Sequence, residues 1–450
     1  MKRIAFYTLG CKTNQYETQA LKEEFLRRGF AMAEGEEPAD VYVINTCTVT
    51  NLADRKSRQY IRRAKKENPH CVVAATGCYV QMNPEEVREI EGVDLLAGTE
   101  EKSRLPELVE GYLKQKEEDR ASGPVCHVSP WAGPAEYRET GPVASMESRT
   151  RAYVKIQEGC DQFCSYCVIP YARGGLRSRS LEAIVRETES LLEKGFREIV
   201  LTGINAALYG RETGRGGGNG TGAGGIEAVV AALDRLKGEF RIRIGSLEPT
   251  VVDGSYVERL LQYEKLCRHM HLSVQSGSDA VLAAMNRHYT RQDFLKITEL
   301  LRRFDPAYGI STDIIVGFPG ESEADFRESL SLVEEVRFCK THIFPYSRRK
   351  GTRAAEMEGQ LGAGVKKERA ARLAAAAEKA AEGFFLGNTG RVASVLAEEW
   401  DPDRGLYSGY DENYIRVCFR AGAGAPDLRG RFVPVRLTGL WADGMEGEME

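Results

Sequence analysis

No apolar run in this 450-residue chain approaches the ~20 residues that cross a bilayer. The opening stretch "MKRIAFYTLGCKTNQYE" lacks the apolar core of a secretion signal. The chain is therefore expected in the cytoplasm, with no membrane as a partner. Neither sign of charge is in large excess: the net is −4, so any nucleic-acid surface has to be a local patch. Disulfides are not expected in a reducing compartment, although there are 11 cysteines; there, clustered cysteines bind metal or do chemistry. One more absence is local. "EGCDQFCSYCVIP" sets Cys160, Cys164 and Cys167 at C-x3-C-x2-C spacing with no fourth cysteine nearby. Closed zinc sites and ordinary iron–sulfur clusters use four protein ligands. Three leave one metal position vacant, and a vacant position is where a small molecule binds and receives an electron.

The length suggests about three domains, and the pattern of elements divides the chain accordingly. Residues 1–120 alternate strand and helix: "RIAFYTLG", "DVYVINT" and "CVVAATG" read as buried strands, with helices "ETQALKEEFLRRGF" and "RKSRQYIRRAKKEN" between them. A parallel α/β sheet with right-handed crossovers follows. Residues 121–148 are irregular and rich in Pro and Gly, and are expected to be a linker. Residues 149–383 carry six βα repeats, too few for an eightfold barrel, so a partial (β/α)6 barrel is expected. The glycine-rich stretch 210–225 reads as a flexible insertion. Residues 384–450 alternate in period two between turns, the pattern of a small β-barrel.

Cys160 directly follows the first strand of the partial barrel, and in such sheets sites form at the carboxyl ends of strands. A zinc knuckle completed by a distant residue is the bland alternative, and that location counts against it. The first region repeats the theme. Cys11, Cys47 and Cys78 each follow a strand at once, so the sheet brings three thiols to one edge, while Cys71 opens its strand and belongs at the other. Burial as small hydrophobes is the competing reading for those cysteines.

The motifs "GCDQFCSYCVIPYARGGLRSR", "HLSVQSGSD", "TDIIVGFPGE" and "PYSRRKGT" resemble those of the radical S-adenosylmethionine (SAM) methylthiotransferases. The resemblance spans nearly the whole chain. "TLGCKTNQYE" and "NTCTVTNLADRKSRQ" resemble the branch that modifies threonylcarbamoyladenosine beside the tRNA anticodon, at position 37. The alternatives within the family are isopentenyladenosine in tRNA and a ribosomal protein; a non-catalytic zinc- and RNA-binding protein is the alternative from another class.

The resemblance implies a radical SAM barrel, a TRAM-like C-terminal barrel and two 4Fe–4S clusters. Cys160, Cys164 and Cys167 would hold the cluster that binds SAM, and Cys11, Cys47 and Cys78 an auxiliary cluster that carries the sulfur to be inserted. A first SAM would methylate that sulfur, and a second would generate the radical that activates the adenine 2-carbon. A one-electron reductant such as flavodoxin or ferredoxin and a sulfur donor are implied as partners. SAM contacts are expected from Thr202, Gly203, Asn205, Ser246, Glu248, Gln275, Asp313 and Gly317 at strand ends. Arg177, with Arg173 and Arg179, is expected to meet the SAM carboxylate or an RNA phosphate. Arg55, Arg58, Arg62 and Lys65 recur at helical spacing and form a stripe that can track tRNA phosphates, a solvated helix face being the alternative. In the C-terminal barrel Arg416 and Arg420 lie in an Arg-rich middle between two acidic ends.

Overall fold

The structure, a computed structural model, describes the chain apart from residues 35–36, 121–122, 132–135, 142, 144, 147–149, 213–223 and 423–425. The middle of the glycine-rich insertion and part of the expected linker lie outside the described residues. The chain forms two compact units. The first comprises Met1–Ser145, Gln157–Ser180 and Ser347–Ala355; the second comprises Met146–Ile156, Leu181–Tyr346 and Glu356–Glu450.

The first unit is built on a fully parallel sheet in the order Ala31–Met32, Arg3–Thr8, Val41–Thr46, Val72–Gly77, Leu95–Ala97, Val125–His127. The β-branched runs of the central strands are buried on both faces, as a covered parallel sheet requires. Their pleat divides them between two cores. Val41, Val43, Val72 and Ala74 pack with Leu21 and Phe25 of helix Lys12–Arg27 and with Val109 of helix Leu105–Glu117. Tyr42, Ile44, Val73 and Ala75 pack with Ile61 and Ala64 of helix Asn51–Glu67. That helix starts where it does because the Thr50 hydroxyl accepts the Ala53 N–H. The sheet has more strands than the three expected. One of the extra ones, Val125–His127, lies in the stretch read as linker, where three residues between Pro and Gly give no periodic signal but complete the edge by pairing with Leu95–Ala97.

The second unit holds the six βα strands. Arg151–Lys155, Glu198–Thr202 and Arg241–Ile244 run parallel, and so do Ser246–Leu247, His269–Leu272, Gly309–Val316 and Lys340–Pro345. The break falls at Gly245, whose N–H bonds to the Leu201 carbonyl. Before it the chain pairs with strand 198–202 and after it with strand 269–272, so one strand carries the curvature of an open, partial barrel. Helices Arg291–Phe304 and Glu323–Val336 open with capping boxes, Thr290 with Asp293 and Ser322 with Asp325. After helix Ala363–Leu386, five strands close into a barrel: Val392–Asp401, Leu406–Tyr410, Arg416–Arg420, Gly444–Met449 and Phe432–Trp441 in spatial order. Glu198, fully buried, binds Arg241 at 2.5 Å and Arg243 at 2.9 Å. Those two arginines donate in turn to the carbonyls of Tyr410 and Asp411, which fastens the closed barrel to the sheet.

Candidate active site: two sets of three cysteines

In the first unit Cys11, Cys47 and Cys78 leave the carboxyl ends of three adjacent strands, in register through Thr8–Asn45 and Thr46–Gly77. Neighbouring strands are ~4.8 Å apart, so the topology gathers the three sulfurs at one edge. Cys11 caps helix Lys12–Arg27 and is exposed; Cys78 opens helix Cys78–Met82 and is buried, as is Cys47. Gly10 has φ +97°, and a Cβ there would stand 2.7 Å from the Cys47 sulfur, so only glycine lets the Cys11 turn close on Cys47. Burial, and then the neighbouring thiol of Cys78, push the Cys47 thiol up to about 12. Burial raises Cys78 as well. A pair of buried thiols that resist ionising alone suits a soft metal centre, which supplies the compensating positive charge. Cys71, at the opposite strand end, is buried against the Ala64 carbonyl, and Cys267, Cys339 and Cys418 are buried in the second unit.

The buried Arg173 guanidinium meets this edge. Its Nε donates to the Cys78 sulfur at 3.3 Å, Nη1 to Glu17 at 2.9 Å and Glu158 at 2.8 Å, and Nη2 to Asn14 at 2.5 Å. Lys102 pairs with the other Glu17 oxygen and donates to Asn45. Arg173 is therefore enclosed within the protein, its N–H groups taken by these partners rather than offered at the surface. Arg177 is also buried: it donates to the Arg173 carbonyl and lies 4.6 Å from the Trp131 ring. Arg179 pairs with Glu139 at 2.7 Å. Sequence reasoning missed Asn14, Glu17, Lys102 and Glu158. Asn14 and Glu17 carried a readable signal: they recur at helical spacing after Cys11, on the face turned to the sheet edge.

Cys160, Cys164 and Cys167 belong to the same unit. Their loop is closed at its base by antiparallel pairing of Gln157–Glu158 with Arg177–Ser178. Gly159, φ +72°, lies so close to Gly175 that a Cβ would reach its carbonyl at 1.9 Å. The Cys160 N–H bonds to the Gly174 carbonyl and the Cys167 N–H to the Cys164 carbonyl. All three cysteines are half-buried, a set of soft donors at an accessible turn. Segment Ser347–Ala355 touches both cysteine loops. Arg349 binds Thr48 at 2.6 Å, Asn51 at 2.5 Å and Asp54 at 2.5 Å beside Cys47, and the Ala354 N–H donates to the Ser165 carbonyl at 2.7 Å.

Apart from Arg177, the expected SAM residues lie in the second unit. Thr202 ends strand Glu198–Thr202, and Asn205 is buried just beyond Gly203. Ser246 is exposed. Glu248 is buried; one carboxylate oxygen takes Arg287 at 2.8 Å and Thr250 at 2.6 Å, and the other has no hydrogen-bond partner among the described residues. That orphaned acceptor fits a ligand's N–H or ammonium. Gln275 has φ 68°, strain of the kind that collects at functional sites, and its backbone bridges Asp313 and Ile315. Asp313 accepts from His271 at 3.0 Å and Ser273 at 2.8 Å, and its carboxylate, His271 and His342 bring ligand atoms within 4.8 Å of one another. Burial raises the Asp313 carboxyl, but the His271 bond and its neighbours outweigh that and hold it below the usual range, so it is ionised. Gly317, φ +73°, faces the Lys366 stem, where a Cβ would run into Cγ.

The basic stripe does not form one free face. Arg55 and Arg62 are exposed, but Arg58 is held by Glu86 at 3.0 Å and Tyr79 at 2.8 Å, and Lys65 by Asp94 at 2.7 Å. In the closed barrel Arg420 is exposed while Arg416 pairs with Asp443 at 3.5 Å.

Comparison with known proteins places this arrangement. The family model "Uncharacterized protein family UPF0004" matches residues 3–98, and the "Radical SAM superfamily" model matches residues 154–333. A radical SAM methyltransferase structure, TsrM from Kitasatospora setae with cobalamin and a [4Fe–4S] cluster bound, shares the fold (TM-score 0.56, 15% identity, 78% of this chain and 73% of that one). The molecule is thus of the radical SAM class, whose cofactors are a 4Fe–4S cluster and SAM. The threonylcarbamoyladenosine tRNA methylthiotransferase MtaB of Bacillus subtilis is 40% identical over 97% of this chain and 94% of its own length. The tRNA-2-methylthio-N(6)-dimethylallyladenosine synthase of Symbiobacterium thermophilum is 36% identical over 99% and 94%. The chain belongs to the tRNA methylthiotransferase family, whose members carry a second cluster. No helix among the described residues is long and apolar enough to cross a membrane.

Proposed function

We propose that this enzyme inserts a methylthio group at the 2-carbon of threonylcarbamoyladenosine, at position 37 beside the anticodon of tRNA, in the cytoplasm. The observation that carries this reading is the 40% identity, along nearly the whole chain, to a relative named for that reaction. In support, two sets of three cysteines stand in one compact unit, each set leaving a cluster one iron without a protein ligand. Cys160, Cys164 and Cys167 would hold the cluster that takes SAM, and Cys11, Cys47 and Cys78 the auxiliary one. Bound there, these groups supply one-electron cleavage of SAM and a sulfur atom for insertion.

The chain's own part is to hold and to shield. Glu248 would offer its unpartnered oxygen to the ammonium of SAM. Thr202, Gly203, Asn205, Ser246, Gln275, Asp313 and Gly317 would line the strand ends around the rest of SAM, and Arg177 would meet its carboxylate. Arg55, Arg62 and Arg420 are the exposed cations of the expected tRNA contacts. A flavodoxin or ferredoxin would supply electrons, and a separate donor the sulfur.

The test is mass analysis of tRNA nucleosides from a host lacking this gene, complemented with wild type or with Cys47→Ala. Loss of 2-methylthio-threonylcarbamoyladenosine, restored by wild type alone, is expected. Loss of the dimethylallyladenosine derivative instead would reassign the substrate, and an unchanged nucleoside profile would refute the reading. In vitro, Cys47→Ala should still cleave SAM with dithionite yet transfer no methylthio group.

A further inference from the structure

Arg173 spends every N–H it has. A guanidinium carries five, and here they meet the Cys78 sulfur, Glu17 and Glu158 through two bonds each, and Asn14. Each acceptor is tied to one of the two cysteine sets. Asn14 and Glu17 lie on helix Lys12–Arg27, which Cys11 caps; Cys78 is itself in the first set; Glu158 accepts the N–H of Gly159, directly before Cys160. The charges balance without the thiols, Arg173 and Lys102 standing against Glu17 and Glu158. A surplus of negative charge at the cysteine edge is therefore met by hydrogen bonding, and Arg173 is the buried cation whose N–H reaches sulfur there.

We propose that Arg173 is a positioning residue for the Cys11–Cys47–Cys78 centre: its Nε–H holds the Cys78 sulfur and favours added negative charge on whatever that sulfur ligates, while its terminal nitrogens couple the centre to the carboxylate preceding Cys160. This rests on the reading that those three cysteines hold a cluster. A donor to a ligating sulfur stabilises the reduced form, and a charged donor does so more than a neutral one. Lysine keeps the charge but has three donors on a flexible stem, so it cannot serve sulfur, two carboxylates and an amide together.

The test uses the full chain with Cys160, Cys164 and Cys167 changed to Ala, so that only the auxiliary cluster loads. Arg173→Lys and Arg173→Gln are added, and iron content, circular dichroism and an EPR-monitored dithionite titration are read. About four irons per chain are expected in the parent. Each substitution should lower the reduced-to-oxidised ratio at a fixed potential about tenfold, which is about 59 mV for a one-electron couple. Loss of iron from a chain that stays folded would also support positioning. An unchanged titration with full iron in both variants overturns the proposal, and so does loss of fold in both, since Arg173 would then serve the fold rather than the centre. A parent that holds no iron fails earlier and refutes the cluster reading itself.

Discussion

Replacing Gly10 by alanine sets a methyl group against the sulfur of Cys47, and the structure allows the cost to be divided. The residue has φ +97°, where an L side chain is strained by about 1–2 kcal/mol. Its Cβ would stand 2.7 Å from the Cys47 sulfur and 2.8 Å from the Cys47 Cβ, and the latter is fixed to the backbone and cannot rotate away. Overpacking of that sort adds about 1–3 kcal/mol. Gly29 serves as the control: it has φ +85°, stands past the end of the same helix, and has open space within 4 Å of where an alanine methyl would sit. Gly29→Ala should therefore cost only the conformational part, about 1–2 kcal/mol, and Gly10→Ala about 2–5 kcal/mol. Urea unfolding of the two variants measures the difference. Iron analysis after anaerobic reconstitution adds a second reading, because displaced Cys47 should cut the content from about eight irons per chain towards about four. Equal destabilisation by the two substitutions, with full iron in Gly10→Ala, would refute the close approach of the two cysteine turns.

Arg349→Ala should strand the buried Asp54 carboxylate and cost about 3–5 kcal/mol in urea unfolding near pH 8. Burial already raises the Asp54 carboxyl and the Arg349 bond opposes that, so without Arg349 the native state binds its proton more tightly than the unfolded chain does. Stability then falls as pH rises between the two pKa values, and the deficit should be smaller at pH ~4.5 than at pH ~8; a deficit independent of pH would count against it. Glu198→Gln should cost about 3–5 kcal/mol by leaving Arg241 and Arg243 without their buried counter-ion. Burial disfavours the Glu198 carboxylate, but Arg243 and Arg241 outweigh it and hold the group well below the usual range. Its contribution is present above the unfolded value of about 4.3 and is lost as pH falls from there. Wild-type and variant stabilities should accordingly start to draw together below pH ~4 and meet only where the folded carboxyl itself protonates, well below that.

The central strands, the main helices and the placement of Cys11, Cys47 and Cys78 at one sheet edge were legible in the sequence because each rests on local chemistry. "DVYVINT" and "CVVAATG" are apolar on both faces, which only a covered parallel strand satisfies, and a cysteine directly after such a strand must lie at the sheet's carboxyl edge. Six βα repeats sufficed for the open barrel, and period-two alternation for the closed one. What the sequence could not carry was which charges meet. Arg173 read as a ligand for an anion, yet tertiary packing buries it among Glu17, Glu158, Asn14 and Cys78. Arg58 and Lys65 read as part of a phosphate stripe, yet carboxylates from other elements hold them. Val125–His127 is a strand only because an edge is there to receive it. Periodicity and turn chemistry act over a few residues and survive in one dimension. The pairing of buried charges is settled by elements far apart in the chain, since an ion leaves water only where the finished fold supplies its partner.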